Sequence, residues 1–261
     1  MIEVFDRVPT YPGRVKLTPV SGQNNVYDLV RADEPLVVGT PINRALFNSI
    51  GDELNILTQN VSNLVAAHAS LNPIGNIAGG TEIGIYENGV LVPYIKVTGD
   101  YEQTGRSALM RKHIFKMDTV TAELNNYINS KCDVWLNNEF LGMLDSITRA
   151  AIAEVDIPYF TTNDSTRKTA KRKVFLASRV ECGSESNNVD GTPFPYFNSN
   201  ERRIALYNGT PVHWWTRSAN ISANTWLNMV TTAGFFASGF PYQDQYGVRP
   251  VFTLPHDFEV T

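Results

Sequence analysis

The segment from Ala219 to Tyr246, called the recognition segment below, carries the side chains best suited to chemistry, and that chemistry is non-covalent binding. It holds a single charged residue, Asp244, among Asn, Ser, Gly and large aromatic residues. Aromatic rings offer contact area at low entropic cost, while Asn, Ser and Gly adapt their hydrogen bonds to a ligand. If the rings instead fill a core, the polar residues remain unexplained. The predicted ligand-binding residues are Asn220, Ser222, Asn224, Trp226, Asn228, Phe236, Ser238, Tyr242, Gln243, Asp244 and Tyr246.

Catalytic and metal-binding motifs are missing from the sequence. The four histidines form no HExxH or other metal spacing, and no GxSxG or phosphate-binding glycine loop occurs. Cys132 and Cys182 form no CxxC pair, so they predict neither a zinc site nor a disulfide framework but buried free thiols. We therefore predict a binding protein without enzymatic activity, cofactor or metal.

A heptad pattern identifies the element that presents this segment. Apolar or near-apolar residues occupy every a and d position over residues 47–71, a set called the heptad stripe: Phe47, Ile50, Leu54, Leu57, Val61, Leu64, His68 and Leu71. A helix packed on its own domain has a wider apolar face, so this narrow stripe favours self-association as a coiled coil. The mixed Leu, Ile, Val and Phe composition does not meet the dimer rule, and we predict a homotrimer, with other oligomers left open.

Local signals bound this helix. Thr40 followed by Pro41 is typical of a helix start, because Thr caps free amides and Pro at the first position sacrifices no hydrogen bond. Asn72-Pro73 predicts the end, giving a helix over about 41–70. Residues 1–39 are too rich in Pro and Gly for a helix and contain two strand-like runs, 14–20 and 26–30. So small an element cannot supply its own core, and we predict that it attaches to a neighbouring protein.

The remainder of the chain predicts short strands and two helical patches. Residues 83–86 and 89–97 are typical of a hairpin closed at Glu87-Asn88-Gly89. We predict helices over 118–129 and 139–155 and a buried strand over 174–178. The predicted fold class is α+β, divided into an attachment segment (1–39), a coiled-coil stalk (40–72) and a C-terminal domain (73–261).

Composition excludes several classes of function. With 261 residues and 43% hydrophobic content, the chain can bury a substantial core. The formal net charge of −4 argues against nucleic-acid binding, and the basic cluster over 167–173 follows a turn-like stretch, which predicts a solvated loop entering a strand. No apolar run approaches a membrane span, and the acidic N-terminus does not match a secretory signal peptide. We expect neither membrane insertion nor nucleic acid as a partner.

Ordered motifs in the C-terminal domain resemble a known fold. They are Asp133-Val134-Trp135-Leu136-Asn137-Asn138-Glu139-Phe140, Val174-Phe175-Leu176-Ala177-Ser178, Trp214-Trp215-Thr216-Arg217-Ser218 and Gly247-Val248-Arg249-Pro250-Val251-Phe252. This set, over residues 74–261, resembles C-type-lectin-like domains of bacterial and phage proteins, related in fold to formylglycine-generating enzymes and to retroelement-diversified receptor-binding proteins. From their residue types, we expect the tryptophans and arginines of these motifs to pack in the core.

A second resemblance involves the N-terminus. Pro12 to Val20, Tyr27 to Asp33 and Gly39-Thr40-Pro41 look like the N-terminal segment of phage tail-tip and tail-fibre proteins. Together the two resemblances imply a receptor-binding protein of a phage or phage-like injection particle. It would reside at the virion tail tip after assembly in the host cytoplasm. Residues 1–39 would bind other tail or baseplate proteins, and the recognition segment would bind a host surface protein or glycan.

The sequence departs from two activities of related folds. Formylglycine generation needs a close pair of reactive cysteines near the C-terminus, and this chain has none there. Calcium-dependent lectins use EPN or QPD together with WND, and neither motif occurs. The alternatives left open are a structural tail component whose C-terminal domain packs on other tail proteins and, more remotely, a polysaccharide hydrolase. In the retroelement-diversified relatives, the stretch matching the recognition segment varies, so diversification of this segment is a further hypothesis.

Overall fold

The computed structural model describes residues 8–9, 15–24, 26–31, 35–37, 44–69, 72–121, 126–162, 164–185, 189–222 and 226–260. The chain divides into two units, Met1–His68 and Ala69–Thr261, each described by itself. The predicted separation of residues 1–39 from the stalk stays a prediction.

Two antiparallel strand pairs precede the long helix of the first unit. The strands are β1 (Val8–Pro9), β2 (Val15–Pro19), β3 (Tyr27–Arg31) and β4 (Pro35–Val37). β1 pairs with β4, and β2 pairs with β3 from Val15 opposite Arg31 to Pro19 opposite Tyr27. Gly22, with φ +81°, lies in the turn between β2 and β3, where a side chain would be strained. The two predicted strands are confirmed to within a residue at each end.

Helix α1 spans Arg44–Ala69, and the heptad-stripe side chains that the structure describes on it are exposed. The exposed fraction ranges from 40% for Ile50 to 70% for Leu64 among the six described members, Phe47 to Leu64. The helix ends before Asn72-Pro73, as predicted. The predicted start at Thr40-Pro41 lies outside the described residues, as do Leu71 and the side chain of His68.

The second unit contains strands, short helices and single turns. Its strands are β5 (Asn72–Pro73), β6 (Glu82–Glu87), β7 (Val90–Thr98), β8 (Arg106–Arg111), β9 (Lys116–Asp118), β10 (Val155–Thr161), β11 (Asp164–Arg172), β12 (Val174–Leu176), β13 (Leu206–Tyr207), β14 (Thr210–Pro211), β15 (Trp214–Ala219), β16 (Leu227–Val230), β17 (Phe236–Gly239), β18 (Tyr246–Val248), β19 (Pro250–Pro255) and β20 (Glu259–Val260). Its α-helices are α2 (Lys131–Trp135), α3 (Leu141–Met143) and α4 (Ser146–Ala151). A π-helical turn joins α2 to α3 over Leu136–Phe140, and 3₁₀ turns cover Ile74–Asn76, Tyr101–Gln103 and Glu201–Arg203.

Two five-stranded sheets form the framework of this unit. Their strand orders are β12-β19-β8-β7-β6 and β17-β16-β15-β18-β9. β15 and β18 pair in parallel, whereas the other neighbours in both sheets are antiparallel. Apolar side chains from both sheets share one buried cluster, which includes Tyr94 and Phe252 of the first sheet and Trp214 and Trp215 of the second. The mixed α+β class is therefore confirmed.

The predicted hairpin is confirmed as β6 and β7. Asn88 and Gly89 have φ of +48° and +79°, as a tight two-residue turn requires. The predicted buried strand is also present as β12, whose three residues are all buried.

Both predicted helices of the second unit are wrong in their bounds. Where residues 118–129 are described, they are not helical: Asp118 pairs with Tyr246 at the end of β9. The helix starts only after Ser130, whose side-chain oxygen accepts the amide of Asp133 and so caps it. Tertiary pairing and this cap together override the helical propensity of the segment.

The helix predicted over 139–155 is broken in the middle. Leu144 is extended, with ψ 147°, and the side chain of Asp145 accepts the amides of Ile147 and Thr148 to start α4. An N-capping Asp favours a new helix start over continuation of the old one. From Val155 the chain is already in strand β10.

The basic cluster lies on a strand, so the predicted loop is wrong. Residues 167–172 belong to β11, which forms a hairpin with β10. Arg172 pairs with Asp133 at 2.7 Å, and Lys168 pairs with Asp164 at 2.8 Å, so these charges have partners within the chain. Cys132 and Cys182 are buried free thiols, as predicted. Among the described residues, no helix has the length and apolar content needed to cross a membrane.

Candidate functional site

Strand β15 supplies the rigid base of the candidate site. All six of its residues, from Trp214 to Ala219, are buried in the middle of the second sheet. The indole of Trp214 donates to the Arg203 carbonyl at 2.9 Å, and that of Trp215 donates to the Asp118 carbonyl at 3.1 Å. Because their polar atoms are satisfied, these indoles can bury large apolar areas at no hydrogen-bonding cost.

Arg217 continues this strand and forms a fully buried ion pair with Glu181. Its Nη2 donates to Glu181 Oε1 at 2.6 Å, and its Nη1 donates to Oε2. Further bonds from Arg217 reach the carbonyls of Pro158, Leu176 and Asp190. Burial raises the pKa of Glu181, and Arg217 opposes that effect. The pair thus ties β15 to the loops that carry residues 181 and 190.

Arg249, the arginine of the last motif, is buried like Arg217 and was likewise expected to pack in the core. Its guanidinium lies 5.1 Å from the Trp214 ring and donates to the Arg111 and Lys112 carbonyls. Burial lowers the pKa of Arg249 to about 10, which still leaves it charged at neutral pH. Both motif arginines therefore satisfy buried carbonyls and pack on rings, as predicted from their residue types.

A polar cleft of about 200 Å³ opens where β15 ends. Its polar lining consists of Arg179, Asp190, Ser218, Asn220, Ser222 and Asn228. The cavity with this lining is called the polar cleft below. Phe160 from β10 contributes an apolar wall. The cleft can offer hydrogen-bond donors and acceptors, a carboxylate and a guanidinium to one small ligand.

A short hydrogen-bond relay fixes the amides of the cleft. Asn220 Nδ2 donates to Ser238 Oγ at 3.1 Å, and Ser238 Oγ donates to Asn228 Oδ1 at 3.1 Å. Asn228 Nδ2 donates to the Ala219 carbonyl. Since the relay orients each amide, the polar cleft is organised before any ligand arrives.

Of the predicted site residues, the structure brings only some to the cleft. Asn220, Ser222 and Asn228 line it, and Ser238 supports it from behind. Phe236 packs beneath Arg179, whose guanidinium lies 5.2 Å from the ring. Asn224 lies outside the described residues.

Two other predicted residues, Trp226 and Tyr242, form an aromatic group with Phe240 beside Asn220. Trp226 is 36% exposed and contacts Phe240 edge-on at 5.2 Å between centroids, and Phe240 contacts Tyr242 at 6.0 Å. The backbone amide of Asn220 donates to the Trp226 carbonyl, which joins this group to the cleft. Trp226 and Tyr242 therefore each contact Phe240 and remain partly exposed.

The remaining predicted residues lie apart from the cleft lining. Tyr246 packs on Trp215 at 4.7 Å between centroids, and burial raises its pKa. Asp244 accepts the backbone amide of Phe240 at 2.7 Å, which shapes the turn that carries the aromatic group. Gln243 is exposed.

Sequence reasoning missed Arg179, Asp190 and Phe160. They come from three separate segments that β15 and its neighbours bring together. No local spacing links these positions, so only the folded chain identifies them. Among the described residues, no group of three or more His, Cys, Asp or Glu could hold a metal ion.

A protein-family model matches the C-terminal part of the chain. The family model "Domain of unknown function (DUF6273)" matches residues 104–256, more than half of the chain, and this range includes β15 and the whole polar cleft. Comparisons with curated proteins and with solved structures find no match.

Proposed function

The chain belongs to the DUF6273 family, and from the contacts described above we propose that it is a receptor-binding protein of a phage or phage-like particle. In this proposal its C-terminal unit is a C-type-lectin-like domain, and the recognition segment contacts the host cell surface. Helix α1 joins three copies as a coiled coil, and residues 1–39 bind other tail or baseplate proteins. The protein then resides at the tail tip of the particle.

The observation that carries the proposal is the surface formed by the polar cleft and the aromatic group beside it. Partly exposed Trp226 and half-buried Tyr242 adjoin Asn220 and Ser222, which line the cleft. Exposed aromatic residues next to adaptable polar groups are typical of binding surfaces. Neither ring belongs to the buried hydrophobic cluster, so a binding role explains their position better than a packing role.

The exposed heptad stripe supports the oligomeric part of the proposal. Leu54, Leu57 and Leu64 are each more than half exposed in the single chain. A regular apolar stripe on a 26-residue helix is costly to leave in water and is buried by association with identical helices. Three linked copies raise the effective concentration of weak receptor sites, so modest single-site affinity suffices.

Binding of purified protein to host cells tests this function. We expect wild-type protein to bind and the Trp226→Ala/Tyr242→Ala variant to lose at least about tenfold in affinity, since buried aromatic anchors dominate interface energies. Tyr86→Ala is the matched control. Tyr86 is a 51% exposed aromatic residue on β6 of the first sheet, outside the recognition segment.

The outcomes separate the proposal from a structural alternative. Retained binding by the control and loss by the double variant, both with unchanged mass and circular dichroism, support a receptor site at the aromatic group. A wild-type protein that binds no host cells favours a tail component whose recognition segment is covered by a partner protein. Equal binding by wild type and double variant would place the contact on another surface.

A further inference from the structure

We propose that the polar cleft binds one sugar ring of a surface glycan, with the carboxylate of Asp190 and the amide of Asn220 bonded to neighbouring hydroxyls. This inference rests on the proposed function and names the chemical class of the receptor. It depends on one unpartnered acceptor, on the mixture of charges in the cleft and on the size of the cleft.

Asp190 provides the unpartnered acceptor. The residue is only 3% exposed, and its side-chain Oδ2 accepts the hydroxyl of Ser218. Its Oδ1 is buried and has no hydrogen-bond partner within the described part of the chain. A buried carboxylate oxygen without a donor costs free energy, so a ligand that donates a hydrogen bond to Oδ1 is favoured.

The framework around Asp190 holds that oxygen in place. Ser218 Oγ accepts the Arg179 amide at 2.7 Å, which leaves its hydroxyl hydrogen for Asp190 Oδ2. Arg217 Nη2 donates to the Asp190 carbonyl at 2.7 Å. A side chain at Gly191 would lie 2.6 Å from Glu181, so glycine is needed for this close approach. The carboxylate is therefore preorganised rather than mobile.

The charges in the cleft favour a neutral ligand. Arg179 lines the same cleft as Asp190 and donates through Nε to Ser184 and through Nη1 to Asn228. A cationic ligand would meet the guanidinium, and an anionic ligand would meet the carboxylate. A hydroxyl group avoids both penalties, because it donates to Asp190 Oδ1 while its own oxygen accepts from an amide or guanidinium N–H.

The dimensions and walls of the cleft favour a sugar over other neutral donors. About 200 Å³ is below the roughly 300–1,000 Å³ of sites for drug-sized ligands, and it suits a single ring. Neighbouring ring hydroxyls can engage Asp190, Asn220 and Ser222 together. Apolar C–H groups of the ring can pack against Phe160.

Ligand-observed NMR on the purified full-length protein tests the proposal. The probes are methyl glycosides of glucose, galactose, mannose, rhamnose and N-acetylglucosamine. We expect at least one to bind wild-type protein and to lose at least about tenfold in affinity with Asp190→Asn, because a hydrogen bond to a charged acceptor is lost. Asn220→Ala is a second cleft variant, in case Asp190→Asn impairs folding.

Asp156→Asn is the matched control. Asp156 is exposed on β10, the strand that also carries Phe160, but it does not line the cleft, so glycoside affinity should match wild type. Absence of binding by folded wild-type protein to every probe would overturn the proposal. Binding that neither cleft variant weakens would overturn it as well.

Treated host cells separate this proposal from the function on which it rests. Periodate cleaves the bond between two adjacent carbons that each carry a hydroxyl. Binding that is lost after periodate and survives protease treatment therefore supports a glycan in the cleft. Binding that survives periodate and is lost after protease overturns the glycan and leaves a protein receptor for the same tail tip. Glycoside binding without binding to untreated cells would support the sugar site and contradict the attachment function.

Discussion

At the scale of single residues, burial distinguishes structural side chains from those available for binding. Arg217 and Arg249 are almost fully buried and bonded to carbonyls, whereas Asn220 and Ser222 line the cleft and are at least partly exposed. Residue types alone placed both arginines correctly in the core. They did not single out Asp190, because an isolated Asp in a loop is ordinary in sequence and becomes notable only when its oxygen is buried.

Arg217→Met should destabilise the protein by roughly 3–5 kcal/mol, because Glu181 then keeps a buried charge without its partner. Burial raises the pKa of Glu181 even beside Arg217, and removal of the cation raises it further. When the pKa of a carboxyl is raised by folding, the folded protein becomes less stable as pH rises through that pKa. The difference in free energy of unfolding between wild type and variant should therefore grow from about pH 5 to about pH 8. Urea unfolding at both pH values measures this.

The control for this prediction is Arg202→Met. Arg202 is exposed and lies 5.2 Å from the Tyr196 ring, so its loss should cost less than about 1 kcal/mol. Equal destabilisation by the two variants would show that the Glu181–Arg217 pair contributes nothing beyond a surface arginine.

The two cysteines should resist thiol reagents in the folded protein. Burial raises the pKa of Cys132 to about 12 and also raises that of Cys182, so almost no thiolate exists at neutral pH. With Ellman's reagent we expect negligible reaction in native buffer and complete reaction of both thiols in guanidinium chloride. Rapid modification of either thiol in folded protein would contradict their buried placement.

At the scale of elements, helix α1 and the β16–β17 hairpin differ in how much of each is packed within the single chain. The helix exposes a regular apolar stripe, and we propose that association with other chains covers it. The hairpin is paired within the second sheet, and its turn approaches the Asn200 carbonyl closely at Gly234. Sequence periodicity predicted the helix well, since a heptad repeat is a local property. The helices over 118–129 and 139–155 were predicted wrongly because caps and strand pairing override propensity.

Replacing Leu54 and Leu57 by Asn should dissociate the predicted trimer. Light scattering of wild type should give three times the 29.1 kDa chain mass, and the double variant should give a single chain mass. Polar groups at paired a and d positions remove the apolar contact that joins the helices. Ile56→Asn is the control, since Ile56 is 62% exposed but lies outside the heptad stripe. A monomeric wild type, or a control that dissociates equally, would refute the coiled coil.

Gly234→Ala should destabilise the protein more than Gly209→Ala. Both glycines have positive φ, +80° and +81°, so the backbone strain of about 1–2 kcal/mol is shared. A side chain at residue 234 would lie 2.0 Å from the Asn200 carbonyl oxygen, while residue 209 faces open space. Overpacking should add roughly 1–3 kcal/mol. Thermal unfolding of the two variants gives the difference, and equal melting temperatures would contradict the close packing of this turn.

At the scale of the whole molecule, the two units have different roles in the proposed function. One contains the helix suited to association, and the other contains both five-stranded sheets, the polar cleft and the whole range matched by the family model. Multivalent attachment requires both, since weak sites act together only when they are joined.

Deleting residues 1–39 should prevent incorporation into particles and leave a soluble trimer that still binds host cells. The deletion removes the predicted attachment segment but keeps α1 and the second unit. Immunoblots of purified particles measure incorporation, and light scattering measures the trimer. Incorporation of the truncated protein at wild-type levels would refute the attachment role, and full-length protein supplied in the same cells is the control.

The sequence by itself determined the features that depend on neighbouring residues. These are the helix, from its heptad repeat; the hairpin, from Asn88-Gly89; the buried strand β12; and the core arginines, from the aromatic residues near them in the sequence. Only the tertiary structure decided where the helices between residues 118 and 155 begin and end, and that Arg179 and Asp190 meet Asn220 at one cleft. Such contacts join residues far apart in the chain, and their energies depend on burial and pairing that no local spacing encodes.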